Sequence, residues 1–163
     1  MVSAAADMIE HGEVENTKIA KSVLVIDEAQ DIGPDDYRLI KALMHHNEEM
    51  RVIAVGDDDQ NIFAFRGSSS KYMQSLLYQE GAKFYEMTEN FRSSQNIVAY
   101  AYQFVRGIPK RLKQTPIRSM VKESGLVKHL DILDSTNLKI HGTTAVLTKT
   151  NEETMQVAYL AEE

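Results

Sequence analysis

The hydrophobic pattern of the first half of the chain alternates between short apolar runs and stretches of helical spacing. Residues 23–26 read VLVI, a continuous apolar run that is typical of a strand buried on both faces of a parallel sheet. Residues 35–46 carry apolar side chains at helical spacing behind Gly33 and Pro34, and residues 51–55 read as a second strand. The order strand, helix, strand predicts a βαβ unit and therefore an α/β fold with a parallel sheet.

The second half of the chain continues this pattern with weaker signals. Ser68 to Ser70 can cap a helix through residues 72–77, which Gly81 ends before a short strand at residues 83–87. A further helix is predicted to begin near Ser93 and to run to about residue 105. Residues 107–125 are basic and irregular, residues 126–133 and 143–147 read as strands, and a last helix begins near residue 152.

The charge of the chain limits its possible partners. Its formal net charge is -6, which is the wrong sign for general adhesion to phosphate backbones, so any nucleic-acid contact must be local. Lys110, Arg111 and Lys113 form a basic run that is either a solvated surface or such a contact. No apolar stretch approaches the roughly 20 residues of a membrane span, and the N-terminus is acidic, so we expect a soluble, cytoplasmic protein with no membrane partner.

The first group of candidate functional residues, DEAQD at 27–31, follows the first predicted strand directly. Carboxylates at the C-terminal end of a parallel strand suggest a ligand crevice. One carboxylate can hold a hard cation while its neighbour polarises a water for attack on a phosphate. An acidic surface turn would have the same composition, so this group alone leaves both interpretations open.

The second group, GDDDQNIFAFRG at 56–67, follows the second predicted strand. Three consecutive aspartates repel one another unless a metal ion, an arginine or backbone donors compensate them. Gln60 offers an amide donor suited to a phosphate oxygen. Phe63, Phe65 and Arg66 could form a stacking platform with a phosphate contact for single strands, although both phenylalanines could also be core residues.

These segments together resemble the UvrD/Rep branch of superfamily 1 helicases. VLVIDEAQD is similar to motif II of that family, VGDDDQNIFAFRG to motif III, and ENFRSS at 89–94 to motif IV; residues 144–151 resemble the segment that follows it. The matches cover residues 23–155 in the order of the family. The resemblance implies a RecA-like fold of the P-loop NTPase type, with helices on both faces of a parallel sheet and parts of two lobes.

The resemblance also implies roles for individual residues. Asp27 would coordinate Mg²⁺, Glu28 would be the general base that orients the attacking water, and Gln60 and Arg92 would contact the γ-phosphate of ATP. Phe63, Phe65 and Arg66 would contact DNA, with single-stranded DNA and duplex junctions as partners. Family members often carry Tyr and Trp where this chain has the two phenylalanines, so stacking is retained and a polar hydrogen bond is lost.

The resemblance further implies a phosphate-binding G-x-x-x-x-G-K-[ST] loop, which these 163 residues do not contain. We therefore expect a central part of an ATP-dependent DNA helicase, in DNA repair or recombination. Residues 1–88 would belong to the first RecA-like domain and residues 89–163 to the second. Two alternatives stay open: a truncated binding module for DNA or a partner without hydrolysis, and an unrelated Mg²⁺-dependent phosphohydrolase that uses Asp27 and the three aspartates.

Overall fold

The computed structural model describes residues 1–128 and 145–161, and these form an α/β chain with two compact units, Met1–Gly125 and Leu126–Glu163. The predicted division at residue 88 falls inside the first unit and stays a prediction. In the first unit the helices and strands are α1 Val2–Glu10, α2 Asn16–Ile19, β1 Val23–Ile26, α3 Pro34–His46, β2 Arg51–Ala54, α4 Ser70–Leu77, β3 Glu89–Ser94, α5 Gln95–Val105 and β4 Arg118–Val121.

Strands β1 and β2 confirm the predicted βαβ unit. They pair in parallel, with Val23 opposite Arg51 and Ile26 opposite Ala54, and helix α3 connects them. Helix α3 begins where the sequence predicts it: Pro34 fits the first turn, and the Asp36 carboxylate accepts a hydrogen bond from the Gly33 backbone N–H at 3.1 Å. Helix α4 also begins as predicted, with Ser69 accepting from the backbone of Lys71 at 3.4 Å.

The core of this unit lies on one face of the β1–β2 pair. Its members are buried or partly buried apolar side chains from β1, α3, α4 and the segment around the short 3₁₀ turn Ala29–Asp31: Leu24, Ile26, Ala29, Ile32, Tyr37, Ile40, Met44, Tyr72, Met73 and Leu76. The opposite face is open in the described residues, with Val25 63% and Ile53 51% exposed. The described residues therefore confirm an α/β fold with a parallel strand pair, and helices on both faces of the sheet stay a prediction.

Strands β3 and β4 form a second parallel pair that the sequence pattern did not indicate. Residues 83–87, predicted as a strand, are irregular, and the strand begins at Glu89 instead. The ladder is interrupted between Asn90 and Ser94. There the Asn90 side-chain oxygen accepts from the backbone N–H groups of Arg92 and Ser93, at 3.0 and 2.8 Å, and thereby satisfies donors that face no partner strand.

Helix α5 begins after Ser94, as predicted, and ends at Val105. Strand β4 falls in the stretch that was expected to be irregular.

The second unit contains helix α6, Asn151–Ala161, which confirms the predicted last helix. Thr150 and Glu153 cap it reciprocally: the Glu153 carboxylate accepts from the Thr150 backbone at 3.0 Å, and the Thr150 hydroxyl accepts from the Glu153 backbone at 3.2 Å. Residues 126–128 and 145–147 have no regular structure, and the rest of the two strands predicted there lies outside the described residues. Among the described helices, none is long and apolar enough to cross a membrane.

Candidate functional site

The candidate site lies at the edge of the sheet where β1 and β2 both end. Since the strands are parallel, the Asp27–Glu28 pair after β1 and the loop after β2 emerge at the same edge. The two loops are hydrogen-bonded to each other, because the Ala29 backbone N–H donates to the Val55 carbonyl at 2.9 Å. The prediction that both acidic loops share one edge is confirmed.

The backbone of Glu28 has an unusual conformation. Its φ of 49° and ψ of 46° lie in the left-handed region, which costs a residue with a side chain on the order of 1 to 3 kcal/mol. Local hydrogen bonds offset this cost: Asp27 Oδ1 accepts from the Glu28 N–H at 2.9 Å, and the Glu28 carbonyl accepts from Asp31 N–H at 2.9 Å. The conformation turns the chain sharply after β1, and the carboxylates of Asp27 and Glu28 are both exposed there.

The buried side chain of Gln30 connects the two loops by hydrogen bonds. The sequence did not indicate this role. Gln30 is 3% exposed. Its Nε2 donates to Glu28 Oε2 at 2.8 Å, and its Oε1 accepts from the backbone N–H of Asp57 at 2.9 Å. The backbone carbonyl of Gln30 accepts from Asn61 Nδ2 at 2.6 Å. One buried side chain therefore contacts the predicted base and the start of the aspartate loop.

Gly56 allows this connection because the second loop passes very close to Gln30. A Cβ at position 56 would lie 2.6 Å from Gln30 Oε1, 2.9 Å from the Ala29 nitrogen and 3.0 Å from Met73 Sδ. The first two contacts are shorter than carbon can make without displacing the backbone or the amide. A glycine is required here for close approach of the chain.

The three aspartates are compensated by a distant part of the chain. Arg111 donates to both oxygens of Asp59, from Nε and from an η nitrogen, at 2.6 Å each. The backbone N–H of Leu112 donates to Asp58 Oδ2 at 2.6 Å. Lys113 lies 3.1 Å from Asp57 Oδ1. Of the three compensations that the sequence allowed, the structure has the arginine and the backbone donor, together with a lysine.

Two of the three cations of the basic run, Arg111 and Lys113, are therefore not solvated surface charges, whereas Lys110 is exposed. The side chains of Arg111 and Lys113 are only 11% and 15% exposed, because both lie against the aspartates. Oxygens of Asp57, Asp58 and Asp59 come within 4.8 Å of one another, a spacing that a metal ion could use. With an arginine, a lysine and a backbone N–H already bound, these carboxylates form an ion-pair cluster. This argues against the phosphohydrolase that would bind its metal there.

The electrostatics of the cluster favour its charged form. Burial raises the pKa of Asp57, but hydrogen bonds from Gln60 and Lys113 and the charge of Lys113 outweigh burial and leave the pKa below its ordinary value of 3.8. The paired hydrogen bonds to Asp59 raise the pKa of Arg111 above its ordinary value. Asp57 and Arg111 are therefore both held in their charged forms.

Gln60 lies in the same cluster at the exposed rim. Its Nε2 donates to Asp57 Oδ2 at 2.9 Å, and the short 3₁₀ turn Asp58–Gln60 presents its side chain to solvent. The structure thus connects Gln60, Asp57, Gln30 and Glu28 through successive hydrogen bonds.

Phe63, Phe65 and Arg66 lie together on the following turn. The two rings are tilted with centroids 6.1 Å apart, and the guanidinium carbon of Arg66 lies 5.3 Å from one centroid and 5.4 Å from the other. The Phe65 ring is 78% exposed, whereas Phe63 is half-buried. The interpretation of both rings as core does not hold for Phe65, which offers a face to solvent beside a cation.

Arg92 is not drawn into this network. It lies on strand β3, just before helix α5, and its side chain is exposed. It makes no side-chain hydrogen bond or ion pair to another residue in 1–128 or 145–161. Its predicted contact with a phosphate stays a prediction.

Comparison with known proteins identifies the family of these loops. The family model of the UvrD/REP helicase N-terminal domain matches residues 9–80, which include both acidic loops. The YjcD protein of Bacillus subtilis is 39% identical over 95 residues, which are 56% of this chain and 12% of YjcD.

Two further relatives match more of the chain. The ATP-dependent DNA helicase Rep of Buchnera aphidicola is 33% identical over 111 residues (67% of this chain, 17% of Rep). DNA helicase IV of Escherichia coli is 30% identical over 117 residues (71% of this chain, 16% of the relative). The chain thus spans less than a fifth of the length of these relatives. On the match to the family model, residues 9–80 of the chain belong to the family of the UvrD/REP helicase N-terminal domain.

Proposed function

We propose that this chain is part of the motor of an ATP-dependent DNA helicase, which couples ATP hydrolysis to translocation on single-stranded DNA and to duplex unwinding, in cytoplasmic DNA repair or recombination. The observation that carries the proposal is the junction of the two acidic loops at one sheet edge, where Gln30 bonds to both Glu28 and the loop of Gln60. This is the place where ligands bind in open parallel α/β sheets. The relatives whose names describe them as DNA helicases support the same function.

In the proposed site, Asp27 would hold Mg²⁺ and Glu28 would orient the attacking water. The residues fit these groups, because both carboxylates are exposed at the sheet edge and carboxylate oxygen is the ligand that Mg²⁺ prefers. Bound MgATP would supply the phosphoryl group and the charge that neutralises it. The left-handed backbone at Glu28 fixes where its side chain leaves the strand.

Gln60 and Arg92 would contact the γ-phosphate. Gln60 is exposed and its amide carries a donor, while Arg92 offers a permanently charged planar donor group. Arg92 lies on β3, which begins at Glu89. We propose that β3 is the first strand of the second RecA-like domain, so that residues 1–88 end the first domain and residues 89–163 begin the second.

The face made by Phe63, Phe65 and Arg66 would bind single-stranded DNA. A base stacked on the exposed Phe65 ring would lie next to a guanidinium already held over both rings, and stacking contributes about 1 to 3 kcal/mol per base. Binding is expected to be weak and sensitive to salt, because the chain carries a net charge of -6.

Fluorescence anisotropy with a labelled oligonucleotide tests this face. We expect Phe65→Ala combined with Arg66→Ala to weaken binding by about tenfold or more, which corresponds to ~1.4 kcal/mol. The matched control is Tyr78→Ala combined with Lys71→Ala, which removes an equally exposed aromatic ring (85%) and a cation from helix α4 and its end. Equal affinity of the wild type and the first double variant would refute the assignment.

A further inference from the structure

Gln30 is one of very few buried polar side chains among the described residues of the chain, together with Ser68 and Ser94. Burying an amide costs free energy unless its donors and acceptor are satisfied. An apolar residue of the same size would be buried at this position with a smaller desolvation penalty. The hydrogen bonds of the amide therefore show what the position supplies.

The orientation of the Gln30 amide follows from its partners. The group beside Oε1 is the backbone N–H of Asp57, which can only donate, and the group beside Nε2 is the Glu28 carboxylate, which can only accept when ionised. A flipped amide would place two donors together and two acceptors together. The amide therefore has one orientation, which holds the Glu28 carboxylate at a fixed position relative to the backbone of Asp57.

The same hydrogen bonds extend to Gln60. The Asp57 N–H bonds to Gln30, and the Asp57 carboxylate accepts from Gln60 Nε2 at 2.9 Å. Through these bonds the position of Gln60 constrains Asp57, and the position of the Asp57 backbone constrains the Gln30 amide that binds Glu28. The Cβ-free position at Gly56 keeps the loop close enough for this contact.

We propose that Gln30 is a positioning residue that fixes the Glu28 carboxylate and couples it, through Asp57, to Gln60. The inference rests on the proposed function, in which Glu28 orients the attacking water and Gln60 contacts the γ-phosphate. In that setting, Gln30 makes the orientation of the base depend on the state of the second loop. A base held by an exposed, flexible side chain alone would have no such dependence.

A nuclear magnetic resonance cycle on the ¹⁵N-labelled chain separates coupling from a merely structural role. The perturbation is Glu28→Ala, introduced into the wild type and into Gln30→Met, and the observed signals are the Gln60 side-chain amide and the Asp57 backbone amide. We expect Glu28→Ala to shift both signals in the wild type and to leave them unmoved in Gln30→Met. Gln79→Met is the matched control, since Gln79 bonds only locally to the Ser75 carbonyl, and it should leave the response intact.

Shifts of equal size in the wild type and in Gln30→Met would overturn the proposal. If Gln30→Met fails to fold, Asp57→Ala replaces it, because it removes the carboxylate that bonds to Gln60 and leaves the backbone bond to Gln30; Glu28→Ala should then still shift the backbone amide signal of residue 57 and leave the Gln60 signal unmoved. Glu28→Ala alone provides a last measurement: if it moves neither signal, the coupling does not exist. The cycle needs no nucleotide and no DNA, so its failure is distinct from failure of the proposed function.

Discussion

The ion pair between Asp59 and Arg111 should be one of the larger single contributions to the stability of the Met1–Gly125 unit. The two side chains are 6% and 11% exposed and share two hydrogen bonds of 2.6 Å. Hydrogen bonds between ionised partners are about twice as strong as those between neutral groups. The pair also closes a long loop, because the two residues are 52 positions apart.

The magnitude follows from the burial. Removing one partner of a buried pair costs about 3 to 5 kcal/mol, much of it from the charge left behind. Here Lys113 lies 4.0 Å from Asp59 and would partly compensate that charge, and both side chains keep some contact with water. We therefore expect a coupling energy of about 2 kcal/mol between the two side chains in a double-mutant cycle.

The cycle consists of Asp59→Asn, Arg111→Met and the double variant, with the free energy of unfolding measured by urea titration and circular dichroism. Methionine keeps the aliphatic packing of the arginine, so the cycle reports mainly the charged contact. The exposed pair Glu89–Arg118, at 47% and 71% exposure, serves as an internal control through Glu89→Gln and Arg118→Met. Exposed pairs contribute about 0.2 to 1 kcal/mol.

A coupling energy for Asp59–Arg111 no larger than that of the control pair would refute the reasoning. It would mean that the segment after α5 is not held to the aspartate loop by charge. High salt adds a second readout, because screening acts more on the exposed pair than on the buried one.

Three further predictions concern the sheet edge. Gly56→Ala should destabilise the chain by about 1 to 3 kcal/mol, because the new Cβ would collide with the Gln30 amide. Gly107→Ala, whose Cβ would meet its nearest neighbour at 3.4 Å, should cost much less stability. Thermal melts compare the two variants, and equal losses of stability would contradict the argument. Asp57→Asn should remove part of the loss of stability that the chain shows in acid. The pKa of Asp57 is lowered in the folded state, so its contribution to the free energy of unfolding is present above pH 3.8 and is lost as the pH falls through the folded-state pKa. Unchanged acid unfolding in the variant would argue against this. The 163-residue chain by itself should not hydrolyse ATP above background, since its sequence has no G-x-x-x-x-G-K-[ST] motif to hold the phosphates in line. Phosphate release with MgATP and single-stranded DNA that is lost in Glu28→Gln would show that this expectation is wrong.

The βαβ unit could be predicted because its signals are local. An apolar run of four residues, a helix with Pro34 at its start and a second run have periods that belong to one secondary structure each. The handedness and parallel pairing of such units then place Asp27 and Gly56 at one edge. The positions of the acidic loops therefore needed no tertiary information.

Strand β3 could not be predicted because its residues carry no strand signal. ENFRSS is polar and lacks the β-branched residues of a typical strand, so composition favours a strand at the nearby residues 83–87 instead. Its ladder to β4 and the Asn90 side chain supply the hydrogen bonds that hold it extended. Arg92 therefore lies on a strand that the sequence pattern does not indicate.

The sequence by itself determined that three adjacent aspartates need a counter-charge, because neighbouring positions in the chain keep the three charges close together in any fold. Only the tertiary structure decided which group provides it, since Arg111 is brought to Asp59 from 52 positions away by the fold. The tertiary structure also decided the role of Gln30, because the composition of its segment, DEAQD, suggests only a polar turn. Its burial between two loops makes it a connection between Glu28 and Asp57, because hydrogen bonds across a sheet edge form only when separate strands end side by side.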